Sequence, residues 1–103
     1  MTTGWMIAVL LTPEGEAEPV RCWFAVGKPD QQRAEWAAVD CALPLGRVAT
    51  SPLQGVEPVE AVSALPDRVV RVMGLASNEV KALGRRIPRR WLAMAAAAEQ
   101  PKE

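Results

Sequence analysis

Residues 20–26 read VRCWFAV, and this stretch indicates the fold more clearly than any other part of the chain. Its side chains fall into two alternating sets, which are Val20, Cys22, Phe24 and Val26 on one face and Arg21, Trp23 and Ala25 on the other. Strict alternation has the two-residue period of a β-strand. We therefore predict a strand over residues 20–26 that ends at Gly27.

The stretch before it, residues 5–12 (WMIAVLLT), is apolar on both faces and is followed by Pro13. Bulky and branched side chains favour a strand, and a strand without a polar face is expected at the centre of a sheet or between two covering layers. Residues 13–19 (PEGEAEP) have the composition of a solvated turn. The two strands are therefore predicted to form an antiparallel hairpin.

After the hairpin, in residues 29–43 (PDQQRAEWAAVDCAL), the apolar spacing changes to that of a helix. One stripe is made of small side chains and another of larger ones, namely Ala34, Ala37, Ala38 and Cys41, with Trp36, Val39 and Leu43 beside them. Pro29 and Asp30 suit a first helical turn, and Pro44 ends the pattern. The small side chains should let this helix lie close to the hairpin.

The rest of the chain gives weaker patterns. Residues 44–58 predict an extended connection, and residues 59–65 (VEAVSAL) a third strand. Residues 66–73 carry three valines typical of a strand but also helix punctuation, and we favour a short helix. Residues 77–83, with a serine cap and a glycine after them, predict another short helix, and residues 88–100 a last, alanine-rich helix.

Together these elements predict a single α+β domain over residues 1–100, with a mobile tail at residues 101–103. The fold is expected to be a small antiparallel sheet in the order β-β-α-β, packed on one face by a helix and followed by helical C-terminal segments. A chain of 103 residues, half of them apolar, can bury a core of its own. The first apolar run is too short for a membrane span and lacks signal-peptide flanks, so we expect no membrane association and a cytoplasmic location.

The residue types present limit the chemistry. Histidine and tyrosine are absent, which removes the commonest general base and the commonest neutral metal ligand. Cys22 and Cys41 are predicted to be free and reduced, with a disulfide between them as the alternative. Cys41 lacks a base, and no glycine pattern suited to phosphates occurs. We expect no enzyme activity, no cofactor and no metal; an enzyme that uses carboxylates, lysine, cysteine or serine is the alternative, with no residue nominated.

The charge distribution is uneven although the net charge is zero. Residues 1–67 contain 4 Lys or Arg and 9 Asp or Glu, whereas residues 68–103 contain 8 and 3. Five cations lie close together before Trp91, namely Lys81, Arg85, Arg86, Arg89 and Arg90. Such a cluster beside an aromatic ring can hold phosphates and stack a base, which makes weak binding of nucleic acid or another polyanion one hypothesis. The alternative is a solvated helix end, or pairing with the acidic turn around Glu14, Glu16 and Glu18.

Four tryptophans against one phenylalanine is the other unusual feature of the composition. Trp5, Trp23 and Trp36 are predicted to lie in the core or at its edge. By alternation, Trp23 faces away from Phe24, so it either anchors an interface together with Arg21 or is covered by the C-terminal segment. With Trp91 as a further interface candidate, the sequence predicts a non-enzymatic protein-interaction or adaptor module that binds a protein partner or a second copy of itself.

Overall fold

A computed structural model describes residues 1–85, which form a small α+β domain with a five-stranded antiparallel sheet and two helices. The elements in chain order are β1 (Thr2–Pro13), β2 (Val20–Val26), α1 (Gln31–Ala42), β3 (Gly46–Val48), β4 (Val59–Pro66), α2 (Asp67–Met73) and β5 (Val80–Gly84). β2 pairs with one edge of β1, and β5 with the far edge of β2. β4 and β3 share the other edge of β1, each along a different part of it.

The predicted hairpin is confirmed, and β1 is the central strand that its two apolar faces indicated. β1 and β2 are antiparallel, with Ile7 opposite Phe24 and Val9 opposite Cys22. These four residues are buried and point to the same side of the sheet, where they form the larger of two apolar clusters. A central strand has neighbours on both edges and packing on both faces, which explains why β1 carries no polar stripe.

α1 covers this larger cluster. The helix begins after Asp30, whose carboxylate accepts a hydrogen bond of 2.9 Å from the backbone N–H of Gln32, as expected of an N-cap. Ala34, Ala38 and Ala42 have no exposed surface and pack against the sheet. The predicted helix and its small-residue face are therefore confirmed, with Pro29 and Asp30 just outside the first turn.

α2 covers the opposite face of the sheet, so the sheet is packed by helices on both faces rather than on one. Val69, Val70 and Met73 of this helix are buried against Met6 and Ala25. The interpretation of residues 66–73 as a short helix is confirmed. Gly74 ends α2 in the left-handed conformation (φ 70°), which glycine adopts without steric cost.

The third strand predicted over residues 59–65 is confirmed as β4, but the helix predicted over residues 77–83 is wrong. That segment instead contains β5, which pairs with β2 so that Val80 lies opposite Val26. Asn78 before it has a positive φ of 66°, and Glu79 donates its N–H to the carbonyl of Ala76, which forms a turn and not a helix start. The open edge of β2 supplies hydrogen bonds that outweigh the helix propensity of these residues.

Residues 44–58, predicted as an extended connection, also contain regular structure. A single 3-10 turn (Leu43–Leu45) leads into β3, whose Val48 lies opposite Leu11 of β1. Three paired residues are too few to give a periodic signal in the sequence. The helix predicted over residues 88–100 and the tail at 101–103 lie outside the described residues.

Substitution of Ala38 tests how closely α1 approaches the sheet. Ala38→Leu adds three carbon atoms where the side chain has 0% exposure, and it should lower the free energy of unfolding by about 1–3 kcal/mol. Ala17→Leu, in the exposed hairpin turn, is the control and should change it by less than about 0.5 kcal/mol. Urea denaturation measures both, and equal stability of the two variants would contradict this packing.

Candidate functional site

The first candidate surface lies on the face of the sheet opposite α1 and contains Arg21, Trp23 and Glu60. Ala8 of β1 lies between Trp23 on β2 and Glu60 on β4, so these residues form one row across three strands. The guanidinium of Arg21 lies over the Trp23 ring, with its carbon 4.7 Å from the ring centroid. It also donates a hydrogen bond to the Glu60 carboxylate and forms an ion pair with it.

In this geometry Arg21 and Trp23, the two residues that the sequence predicted for an interface, form contacts within the chain itself. Trp23 is half-buried and packs against the cluster under α2, and its outer side is covered by a cation. The charge of Arg21 is balanced by Glu60, an acidic residue that was not singled out from the sequence. Glu60 could not be found from the sequence because the register of β4 on β1 was unknown, and only this pairing brings Glu60 within reach of Arg21. Trp91, the third candidate, lies outside the described residues.

The Arg21–Glu60 pair should contribute only modestly to stability. The two side chains are 35% and 49% exposed, so solvent screens their attraction. A double-mutant cycle with Arg21→Ala and Glu60→Ala should give a coupling free energy of about 0.2–1 kcal/mol at low salt. Urea denaturation in about 1 M salt, where the Debye length is about 3 Å, should reduce this coupling. A coupling that is equally large at both salt concentrations would contradict the exposure of the pair.

The basic stretch is the second surface that the sequence suggested, and two of its five cations lie in the described part. Arg85 forms an ion pair with Glu16 of the hairpin turn, which is the pairing considered as an alternative to phosphate binding. Lys81 donates a hydrogen bond of 3.2 Å to the carbonyl of Met73. Both cations are therefore directed toward the domain itself. Arg86, Arg89 and Arg90 lie outside the described residues.

The third surface is the outer face of α1, and the sequence pattern did not predict its character. Trp36 is 64% exposed, so its placement in the core or at its edge is wrong. Trp5, by contrast, is half-buried, and its indole N–H donates a hydrogen bond of 2.9 Å to the carbonyl of Pro29, close to the start of α1. The signal for Trp36 was present: it lies two residues from both Ala34 and Ala38, hence about 160° around the helix from each.

Around Trp36 the outer face of α1 is apolar with charges at its edge. Leu43, two turns further on, is 56% exposed, and Val39 between them is half-buried. A groove of about 310 Å³ lies beside the ring and is lined by Gln32, Glu35, Trp36, Val39 and Val59. We call this set of residues, together with Leu43, the α1 outer surface. An exposed large aromatic side chain beside an apolar groove is typical of a protein interface.

The cysteines are the remaining reactive groups. Both are free, with Cys22 buried and Cys41 half-buried, so the prediction of free thiols holds for this structure. Burial raises the pKa of the Cys22 thiol above its ordinary value of 9.0; Arg85 opposes the rise and Glu16 adds to it. A buried thiol that resists ionisation is a poor nucleophile.

The raised pKa of Cys22 predicts how stability changes with pH. Above about pH 9 the thiol ionises in the unfolded chain before it does so in the folded one, so the unfolded state is favoured as the pH rises. The free energy of unfolding should therefore fall above pH 9, with a contribution from this group of at most about 1.4 kcal/mol per pH unit.

Urea denaturation from about pH 7 to about pH 10 measures this effect. Cys22→Ala should remove part of the fall with pH, and Cys41→Ala should retain it. Identical pH slopes for the original protein and Cys22→Ala would contradict the proposed effect of burial.

An open cleft of about 400 Å³ lies between the hairpin turn and the 3-10 turn, with Glu14, Glu16 and Arg47 among its lining residues. Within residues 1–85, no three acidic or cysteine side chains converge in a way that could hold a metal ion. Neither described helix is long and apolar enough to cross a membrane.

No protein-family model matches this sequence, and no curated protein or solved structure matches it either.

Proposed function

We propose that this protein is a non-enzymatic interaction module that self-associates through the α1 outer surface. The observation that carries the proposal is the 64% exposure of Trp36 at the centre of a helix face whose opposite side is completely packed. Tryptophan combines a large apolar area with few rotatable bonds, and it is among the residues that contribute most to binding when an interface covers them.

The packing of α1 supports an intermolecular role for Trp36. Ala34 and Ala38 hold the helix against the sheet with no exposed surface. A rotation of α1 that buried the indole would expose these alanines and open the larger apolar cluster. Further burial of Trp36 therefore requires a surface from outside residues 1–85 that lies over the helix, and a second copy of the chain can supply one. In a two-fold contact the same patch meets itself, so one exposed apolar surface is enough.

The other two candidate surfaces, the sheet face around Trp23 and the basic stretch, support a binding role less strongly. On the sheet face, Arg21 and Trp23 already contact each other, and Glu60 balances the charge. Of the basic stretch, Arg85 is paired with Glu16 and Lys81 binds a backbone carbonyl. Polyanion binding would thus depend on residues outside the described part, whereas the α1 outer surface is complete within it.

Sedimentation equilibrium over a range of protein concentrations tests the proposal. The original protein should form a dimer, and Trp36→Gln should raise its dissociation constant by about 30-fold or more, because the dimer loses two rings that together contribute at least about 2 kcal/mol. The free energy of unfolding of the Trp36→Gln monomer in dilute solution should stay within about 0.5 kcal/mol of that of the original monomer, because an exposed side chain stabilises the fold little.

Val72 supplies a matched control. It is also 64% exposed but lies on α2, away from the proposed interface. Val72→Gln should dimerise like the original protein. A protein that stays monomeric at every concentration would contradict the proposal, as would a Trp36→Gln variant that dimerises unchanged.

A further inference from the structure

From the charges that flank Trp36, we infer that the two copies pack with their α1 helices antiparallel, and that Arg33 of each copy pairs with Asp40 of the other. This inference rests on the proposed self-association and adds the orientation of the partner and the residues that determine it. The observation behind it is the position of two exposed, opposite charges on the same side of the outer face.

Arg33 and Asp40 are placed symmetrically about Trp36. They are seven residues apart, which is about two turns or 10 Å along the helix, and the midpoint between them falls beside Trp36. At 100° per residue, the two side chains lie on the same flank of the ring, about 60° and 40° from it. One cation and one anion thus mark the two ends of a single edge of the α1 outer surface.

Both groups are available for an intermolecular contact. The Arg33 side chain is 81% exposed, and its only contact with an acid in residues 1–85 is Asp30 at 4.0 Å. Asp40 is exposed and forms no ion pair in the part of the chain that the structure describes. A partner can therefore approach either charge without breaking a strong contact.

The symmetry of a two-fold pair decides the orientation. When two α1 helices meet antiparallel about an axis beside Trp36, the flank that carries the charges faces the same flank of the other copy with its direction reversed. Arg33 then lies opposite Asp40 of the second copy, and this happens twice. In a parallel two-fold pair the charged flanks would lie on opposite sides of the contact, so neither ion pair would form.

The apolar part of the surface can also contact itself in a two-fold pair. The exposed ring of Trp36 stands next to the groove lined by Gln32, Glu35, Val39 and Val59. In a two-fold contact the ring of one copy meets the region of the groove of the other. The apolar centre then supplies the affinity, and the flanking charges select the antiparallel orientation.

Charge reversal tests the orientation. Arg33→Asp and Asp40→Arg should each weaken dimerisation by about tenfold, since each turns two attractive contacts into repulsive ones. The double variant R33D/D40R should recover the affinity of the original protein, because it restores both contacts with the signs exchanged. Sedimentation equilibrium at low salt measures all four proteins, and the differences should shrink in about 1 M salt.

These substitutions are suited to the helix itself. An acidic residue near the N-terminus of α1 and a basic one near its C-terminus both favour the helix dipole, so a loss of dimer should not come from unfolding. Circular dichroism checks this directly. Arg68→Asp on α2 and Glu57→Arg in the loop before β4 are the matched controls, because both positions are exposed and the net charge changes by the same amount. Both controls should dimerise like the original protein.

The outcomes separate the two proposals. If the original protein does not dimerise, or if Trp36→Gln dimerises unchanged, self-association through α1 is wrong and the orientation is wrong with it. If Trp36→Gln prevents dimerisation but both single charge reversals dimerise as well as the original protein, the antiparallel pairing is overturned while the proposed function stands. Weakening by each single reversal with recovery in the double variant supports the inference.

Discussion

The contact between the alanine face of α1 and the sheet determines the rest of the architecture. Ala34, Ala38 and Ala42 are all completely buried, and their small side chains let the helix approach the strands closely. This contact closes the larger apolar cluster around Phe24 and fixes the rotation of the helix about its own axis. Because the rotation is fixed, Trp36 on the opposite side of α1 is held in solvent.

β1 carries the second constraint. It is paired on both edges and covered on both faces, so it links the cluster under α1 to the smaller cluster under α2. Ile7 and Met6, which are neighbours in the chain, point into different clusters. The two faces differ in what remains outside the core: near Arg21 the sheet face carries its own ion pair, whereas no other residue of the described range 1–85 forms an ion pair over the exposed Trp36 on the helix face.

The parts of the fold that were predictable are those with a strong local period or clear punctuation. The alternation of residues 20–26 and the alanine spacing of α1 each identify an element and its buried face, and Gly74 marks the end of α2. β5 was not predictable from its own residues, because Val80–Gly84 becomes a strand only through hydrogen bonds with the edge of β2. β3 was missed for the same reason, since its three residues are ordered by the end of β1.

The candidate site shows the same division between local and long-range information. The Arg21–Glu60 pair depends on strand register, which no local pattern specifies. Trp36 is a different case, since its spacing from Ala34 and Ala38 places it opposite the buried face on helix geometry alone. The prediction placed Trp36 in the core or at its edge because the side chain is large and apolar, and it gave less weight to the position of the residue around the helix. Large apolar residues belong inside only where the element presents them to the core, and α1 presents its alanines instead.

The net charge of zero can be interpreted once the positions of the charged side chains in the fold are known. A chain with balanced charge has no net attraction to an anionic or a cationic partner, so selectivity depends on how its charges are arranged. At one edge of the α1 outer surface, Arg33 and Asp40 carry opposite charges and lie three and four residues from Trp36 on either side of it along the chain. Such an edge is attractive to its own reversed copy, whereas in a parallel two-fold pair the two edges lie on opposite sides of the contact and do not meet. A surface with these properties can define both its partner and the orientation of that partner.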